Sequence, residues 1–206
     1  MSSVNEKQKV LIINGSLGGS DGNTSRGIQL IEKLLTHHLI QVEIIHLKDL
    51  FFAIPNDEEA YRKLSNMIKQ SQGIIFTTGT YWDSWGSPMQ RFFELMTPLE
   101  NKEIVLGKPV MTFVTMHSVG GKEVLSRLQG VLNTFGFFQP PLCGFVYSMV
   151  NDLIVKSKLD TSFKDDLWSL EDLTVICDNF ITALNNPHKY KSWPVDREDP
   201  SRIWWK

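Results

Sequence analysis

Three short stretches, each following an apolar run, combine residue types whose spacing suits chemistry. The first is GSLGGSDGNTS, residues 15–25, directly after KVLIIN. Its glycines let backbone N–H groups come close to a ligand, and Ser16, Asn23, Thr24 and Ser25 add side-chain donors. That combination is a cradle for an anion at a helix N-terminus. No Lys or Arg lies within it. The pattern GxxxxGK followed by Ser or Thr is excluded because no such Lys follows the glycines, and GxGxxG is excluded by the glycine spacing. The same composition also suits a plain flexible connector between a strand and a helix.

The second stretch, TTGTYWDSWGSP at 77–88, sets Thr80, Tyr81 and Trp82 beside Gly79. A flat heterocycle needs this mixture, with backbone polar groups at its edge and aromatic surface against its body. Trp82 and Trp85 equally suit core packing or a subunit interface. The third stretch is TMHSVGGKE at 115–123. Gly120 and Gly121 permit close backbone approach or a positive φ, and His117 and Ser118 bring polar side chains. His117 is placed to donate to a ring carbonyl or to contact a substrate, and a purely structural histidine fits the same position.

These stretches need elements to hold them. Short β-rich runs occur at Val10–Ile13, Val42–Leu47, Gly73–Thr78, Pro109–Thr115 and Gly144–Tyr147, separated by helical spacing. Ile28, Ile31, Leu34 and Leu35 form one face of a helix opening near Thr24, with Asn23 or Thr24 as its cap. Asn56 and Glu59 have capping-box spacing ahead of Tyr61, Leu64 and Ile68. Ser87-Pro88 opens a helix over MQRFFELM. Val124, Leu125, Leu128, Val131 and Leu132 form another, ending near Gly136. Leu167, Leu170, Leu173, Ile176 and Phe180 give the apolar face of a last helix over Phe163–Leu184. Strands alternating with helices imply a parallel sheet covered on both sides. Such sheets bind ligands beyond the carboxyl ends of their strands, where the three stretches fall.

Composition narrows the function. The chain has 206 residues, 42% of them hydrophobic, enough for one core. We divide it into a domain over residues 1–184 and an irregular tail over 185–206, rich in proline, charge and tryptophan. Lys plus Arg total 21 against 23 Asp plus Glu, without long blocks of either sign, which argues against nucleic acid or a membrane as partner. Cys143 and Cys177 have no metal-ligand spacing, and no metal site is expected. A reduced, cytoplasmic protein is expected, since the N-terminus lacks a signal-peptide core and no apolar run is long enough to span a bilayer.

A phosphate monoester held without Lys or Arg is how flavodoxin-like folds hold flavin mononucleotide (FMN). The segments IINGSLGGSDGNTS at 12–25, TTGTYWDSWGSPMQRFFELM at 77–96 and GKPVMTFVTMHSVGGKEVLSRL at 107–128 together resemble the NAD(P)H-dependent FMN reductases, a group that includes quinone, azo-dye and chromate reductases. The resemblance covers roughly residues 8–150. It implies a flavodoxin-like three-layer α/β sandwich with a five-stranded parallel sheet in the order 2-1-3-4-5. It also implies FMN as cofactor and NADPH or NADH as hydride donor, with ping-pong reduction of a quinone, azo or nitro compound, metal ion or free flavin. A homodimer or homotetramer goes with it.

By that resemblance Ser16, Asn23, Thr24 and Ser25 hold the FMN phosphate, Gly79, Thr80, Tyr81 and Trp82 line the ring, and His117, Ser118, Gly120 and Gly121 approach its other polar edge. His117 is the catalytic candidate. Two departures stand out: members often carry Arg where this chain has Leu17-Gly18, and Gly79 replaces a common proline, which predicts a looser second loop. A flavodoxin-like electron carrier and a cofactor-free binding module are the competing readings. The pI near 6.2 and net charge of −2 favour the enzyme over a strongly acidic carrier.

Overall fold

The computed structural model describes residues 8–157 and 170–192. Five strands form one sheet: β1 (Lys9–Asn14), β2 (Gln41–His46), β3 (Gly73–Gly79), β4 (Val110–Met116) and β5 (Gly144–Ser148). Every pairing is parallel and the order is β2-β1-β3-β4-β5. This is the flavodoxin-like arrangement expected from the sequence. Register runs in step across the centre, with Ile12 opposite Ile44 on one side and Ile75 on the other.

Side-chain alternation along the strands divides the core in two. Val10, Ile12, Ile75, Met111, Phe113 and Phe145 face one layer, made by α1 (Thr24–His37) and α7 (Leu173–Asn185). Leu11, Ile13, Ile74, Phe76, Val110 and Val114 face the other. That second layer contains α2 (Leu47–Ala53), α3 (Asp57–Gln70), α4 (Ser87–Met96) and α5 (Gly121–Phe135). Each fully buried Ile, Leu or Phe contributes about 1.5–3 kcal/mol of transfer free energy, so both layers are anchored by the sheet's central strands. Gly27 of α1 meets Phe113 of β4 so closely that an added Cβ would lie 2.2 Å from the ring. The glycine brings α1, and the loop leading into it, down onto the sheet.

Local signals match their elements unevenly. The Asn56 side chain accepts from the Glu59 N–H at 3.0 Å, capping α3 as its spacing predicts. Pro88 stands in the first turn of α4, but Gly86 is the cap and Ser87 the first helical residue. Thr24 likewise begins α1, and the Asn23 cap position makes no side-chain bond. Leu47, read as the end of a strand, instead starts α2, because the chain turns without a break at His46. A further helix, α6 (Met149–Lys156), follows β5 directly. The last helix starts at Leu173 after a 3-10 turn at Leu170–Asp172, and its expected first part, 163–169, lies outside the described residues.

Beyond α7, residues 186–192 form neither helix nor strand, and Tyr190 stacks on Phe138 at 5.8 Å between ring centroids. The tail tryptophans Trp193, Trp204 and Trp205 lie outside the described residues. Among the described residues no helix is long and apolar enough to cross a membrane.

Candidate functional site

The first, third and fourth strands end at one edge of the sheet, and the three singled-out stretches meet there. Their organiser is a residue that sequence reasoning passed over. Asn14, the last residue of β1, is completely buried. Its Oδ1 accepts from the Ser16 N–H at 3.0 Å and from the Thr77 hydroxyl at 3.3 Å. Its Nδ2 donates to the Gly19 carbonyl at 3.1 Å and to His46 Nδ1 at 2.9 Å. The Ser16 amide can only donate and the Gly19 carbonyl can only accept, so the orientation of the Asn14 amide is fixed. His46 Nδ1 must then be an acceptor, which puts the imidazole proton on Nε2. One side chain thereby ties the first loop to β2 and β3.

Within that loop the four expected donors divide. Ser16 is 1% exposed, and its Oγ has no hydrogen-bond partner. Thr24 Oγ1 is shared with Thr115 Oγ1 at 2.9 Å, which binds the start of α1 to β4. Ser25 Oγ donates to the Gly19 carbonyl at 3.2 Å. Asn23 is exposed at the helix entrance. The loop's tight path needs its glycines: a Cβ on Gly18 would lie 2.5 Å from the Gly22 Cα. The loop carries one acid of its own, Asp21, and a second, Asp49 of α2, has its carboxylate 3.2 Å from the place of a Gly19 Cβ.

The second loop is not loosened by Gly79. Gly79 is buried as the last residue of β3, and the next amide, Thr80 N–H, donates to the Thr115 carbonyl at 2.8 Å. The missing side chain makes room for Tyr81 instead, since a Cβ there would lie 2.9 Å from the Tyr81 hydroxyl. That hydroxyl accepts the Leu17 N–H at 2.9 Å, so Tyr81 reaches the first loop. Tyr81 and Ser84 exchange both backbone hydrogen bonds across Trp82 and Asp83, whose φ values are 50° and 56°. This is a two-residue turn of type I′, a geometry usually supplied by Asn-Gly. The turn projects Trp82 wholly into solvent, away from the other loops. Thr80 Oγ1 is buried beside the third loop and has no partner. Trp85 packs on Phe93, with the Arg127 guanidinium 4.9 Å from its ring centroid.

In the third loop, Gly120 has φ 84° and is the cap residue immediately before α5. A Cβ there would collide with the Asp83 carboxylate and approach the Thr80 methyl at 3.3 Å, so the second and third loops touch through this glycine. Gly121 N–H meets the Met116 sulfur at 3.3 Å. His117 and Ser118 are exposed. The His117 carbonyl accepts from Val150 N–H of α6 at 3.1 Å, which places α6 against this loop. Tyr147, at the end of β5, is pushed up to about 12 by burial and then by its bond to Asp152 of α6, with Arg26 opposing.

The edge therefore offers two buried, unpartnered hydroxyls, a helix N-terminus and closely approached glycine backbone. Such hydroxyls cost about 1–3 kcal/mol each unless something binds them. Donors of this kind suit an oxygen-rich ligand with an anionic end. Among the described residues no cluster of three or more His, Cys, Asp and Glu is placed to hold a metal ion. A cavity of about 570 Å³ lined by Gly107, Gly136, Phe138 and Tyr190 lies at the opposite edge of the sheet, remote from the three loops.

The family model described as NADPH-dependent FMN reductase matches residues 8–152. Among solved structures, the chain is similar to RosB with a bound 8-demethyl-8-formylriboflavin-5'-phosphate intermediate, at TM-score 0.68 and 14% identity, covering 97% of this chain and 95% of that one. It is also similar to FerB, an NAD(P)H:acceptor flavoenzyme from Paracoccus denitrificans, at TM-score 0.60 and 17% identity over 86% of this chain and 97% of FerB. A flavodoxin from the domain Archaea matches at TM-score 0.57 and 13% identity, over 86% and 99% of the two chains. A search of curated protein sequences finds no match.

Proposed function

Because this chain belongs to the NADPH-dependent FMN reductase family, we propose that it is an FMN-dependent oxidoreductase. In this reading it takes hydride from NADPH or NADH and passes electrons to a small acceptor such as a quinone, an azo or nitro compound, a metal ion or free flavin. The observation that carries the reading is the pair of buried hydroxyls without partners, Ser16 Oγ on the first loop and Thr80 Oγ1 on the second. They supply donors at two separated points of one edge, as a cofactor with a phosphate end and a polar ring requires.

Ser16 and the amides at the start of α1 would hold the phosphate, helped by the helix dipole. Thr80 would donate to the ring, and the backbone of Ser118, Gly120 and Gly121 would face its pyrimidine edge. FMN, when bound, supplies the hydride and electron chemistry. The chain's part is then to orient, to exclude water and to stabilise negative charge with third-loop amides, which act without reorganising. Exposed His117 is the side chain available to contact an incoming donor or acceptor. Assembly into a homodimer or homotetramer belongs to the same reading, supported by exposed Leu17, Phe52, Trp82 and Val119 on loops and helices that follow strand ends.

The test is an anaerobic titration of the FMN-loaded chain with NADPH and then NADH, following the flavin's visible absorption. Bleaching by either donor is expected. Flavin that binds yet is bleached by neither turns the reading towards an electron carrier, and failure to bind flavin refutes it.

A further inference from the structure

We propose that the Tyr81 hydroxyl donates to the phosphate of the bound flavin and so makes this chain prefer FMN to riboflavin; the proposal rests on the flavin reading above. The sequence placed Tyr81 against the ring. In the structure its phenol crosses to the first loop and accepts the Leu17 N–H at 2.9 Å. A phenol oxygen that accepts one hydrogen bond keeps its own proton to donate. No described residue receives that proton.

The ring is held in this pose by absent side chains. A Cβ on Gly79 would lie 2.9 Å from the hydroxyl, and a Cβ on Gly86 would lie 3.4 Å from the ring and 2.5 Å from the Gly15 carbonyl. The amide it engages is adjacent in sequence to Ser16, whose buried Oγ is unpartnered. Two hydroxyls from different loops therefore stand beside one stretch of glycine-rich backbone.

Charge makes the phenol matter. Residues 15–25 contain no Lys or Arg but do contain Asp21, Asp49 lies against Gly19, and the next cation along the chain is exposed Arg26 in the first turn of α1. Within the loop itself an anion meets only neutral donors, and an O–H already accepting from an amide is polarised into a better one. Riboflavin lacks the phosphate, so a hydroxyl acting there has nothing to donate to when riboflavin binds.

The experiment measures FMN and riboflavin affinity of the purified full chain and of Tyr81→Phe, by flavin fluorescence titration. FMN affinity is expected to fall about tenfold in the variant, as for one hydrogen bond to a charged group, with riboflavin affinity held within about twofold. Equal losses for both flavins would return Tyr81 to the ring, and unchanged FMN affinity would remove it from binding; either overturns the proposal. The wild-type chain gives an independent check, because riboflavin bound as tightly as FMN overturns it too. A wild-type chain that binds neither flavin refutes the flavin reading itself and this proposal with it.

Discussion

Asn14 shows what a single buried amide does at the end of a strand. Its four hydrogen bonds reach Ser16, Gly19, His46 and Thr77, and of these only the Gly19 carbonyl has, among the described residues, a second side-chain donor, Ser25 Oγ. Asn14→Leu keeps much of the volume but removes every bond. We expect a loss of about 3 kcal/mol in urea unfolding, with weaker flavin binding. A variant as stable as the parent would mean that the loop holds its shape without the amide. The sequence did not reveal this role, because an asparagine after an apolar run reads only as the start of a turn, and two partners are 32 and 63 residues away. Ser16 and Thr80 were legible as small polar residues beyond strand ends, though not as buried hydroxyls without partners. The inward commitment of Thr24 was not, since its partner Thr115 belongs to a different strand.

At the scale of elements, the strands were legible because the three central ones, β1, β3 and β4, are buried along nearly their whole length and read as largely apolar runs. The order of the sheet came from the family resemblance rather than from any run. Helices α2 and α6 were missed for a shared reason: each begins at the residue after a strand, without a glycine or proline to mark the change. The Tyr81–Ser84 turn was hidden because Trp82-Asp83 is a poor sequence for type I′ geometry. Both residues hold positive φ, a conformation costly for side chains with a Cβ. Replacing them together, Trp82→Asn with Asp83→Gly, is expected to raise stability by about 1 kcal/mol, read from thermal or urea unfolding. A decrease would show that Trp82 or Asp83 makes a stabilising contact that outweighs the strain.

For the molecule as a whole, one half-buried cation couples stability to pH. Lys108 precedes β4 and donates to the Ile68 carbonyl at the end of α3. Burial lowers its ammonium from 10.5 to about 8. Between these values the unfolded chain keeps the proton that the folded chain has released, so the unfolded state binds more protons and folding gains stability as pH rises. Relative to Lys108→Met, the wild type should gain between pH 8 and 10.5, with a slope of at most about 1.4 kcal/mol per pH unit. A difference that stays flat across that window would place the ammonium in contact with water. No composition or spacing reveals such a site, because a lone lysine before a strand looks solvated until the packing around it is known.

The bond between Thr24 and Thr115 has a consequence for biosynthesis. A chain emerging from the ribosome presents its glycine loop early, but the threonine that seats the following helix is added 91 residues later. Asn14 also waits for His46 and Thr77 before its amide is satisfied. The nascent polypeptide therefore carries the first loop without the frame that shapes it. If this loop holds the flavin phosphate as proposed, its capture waits until four strands have been translated and brought into register.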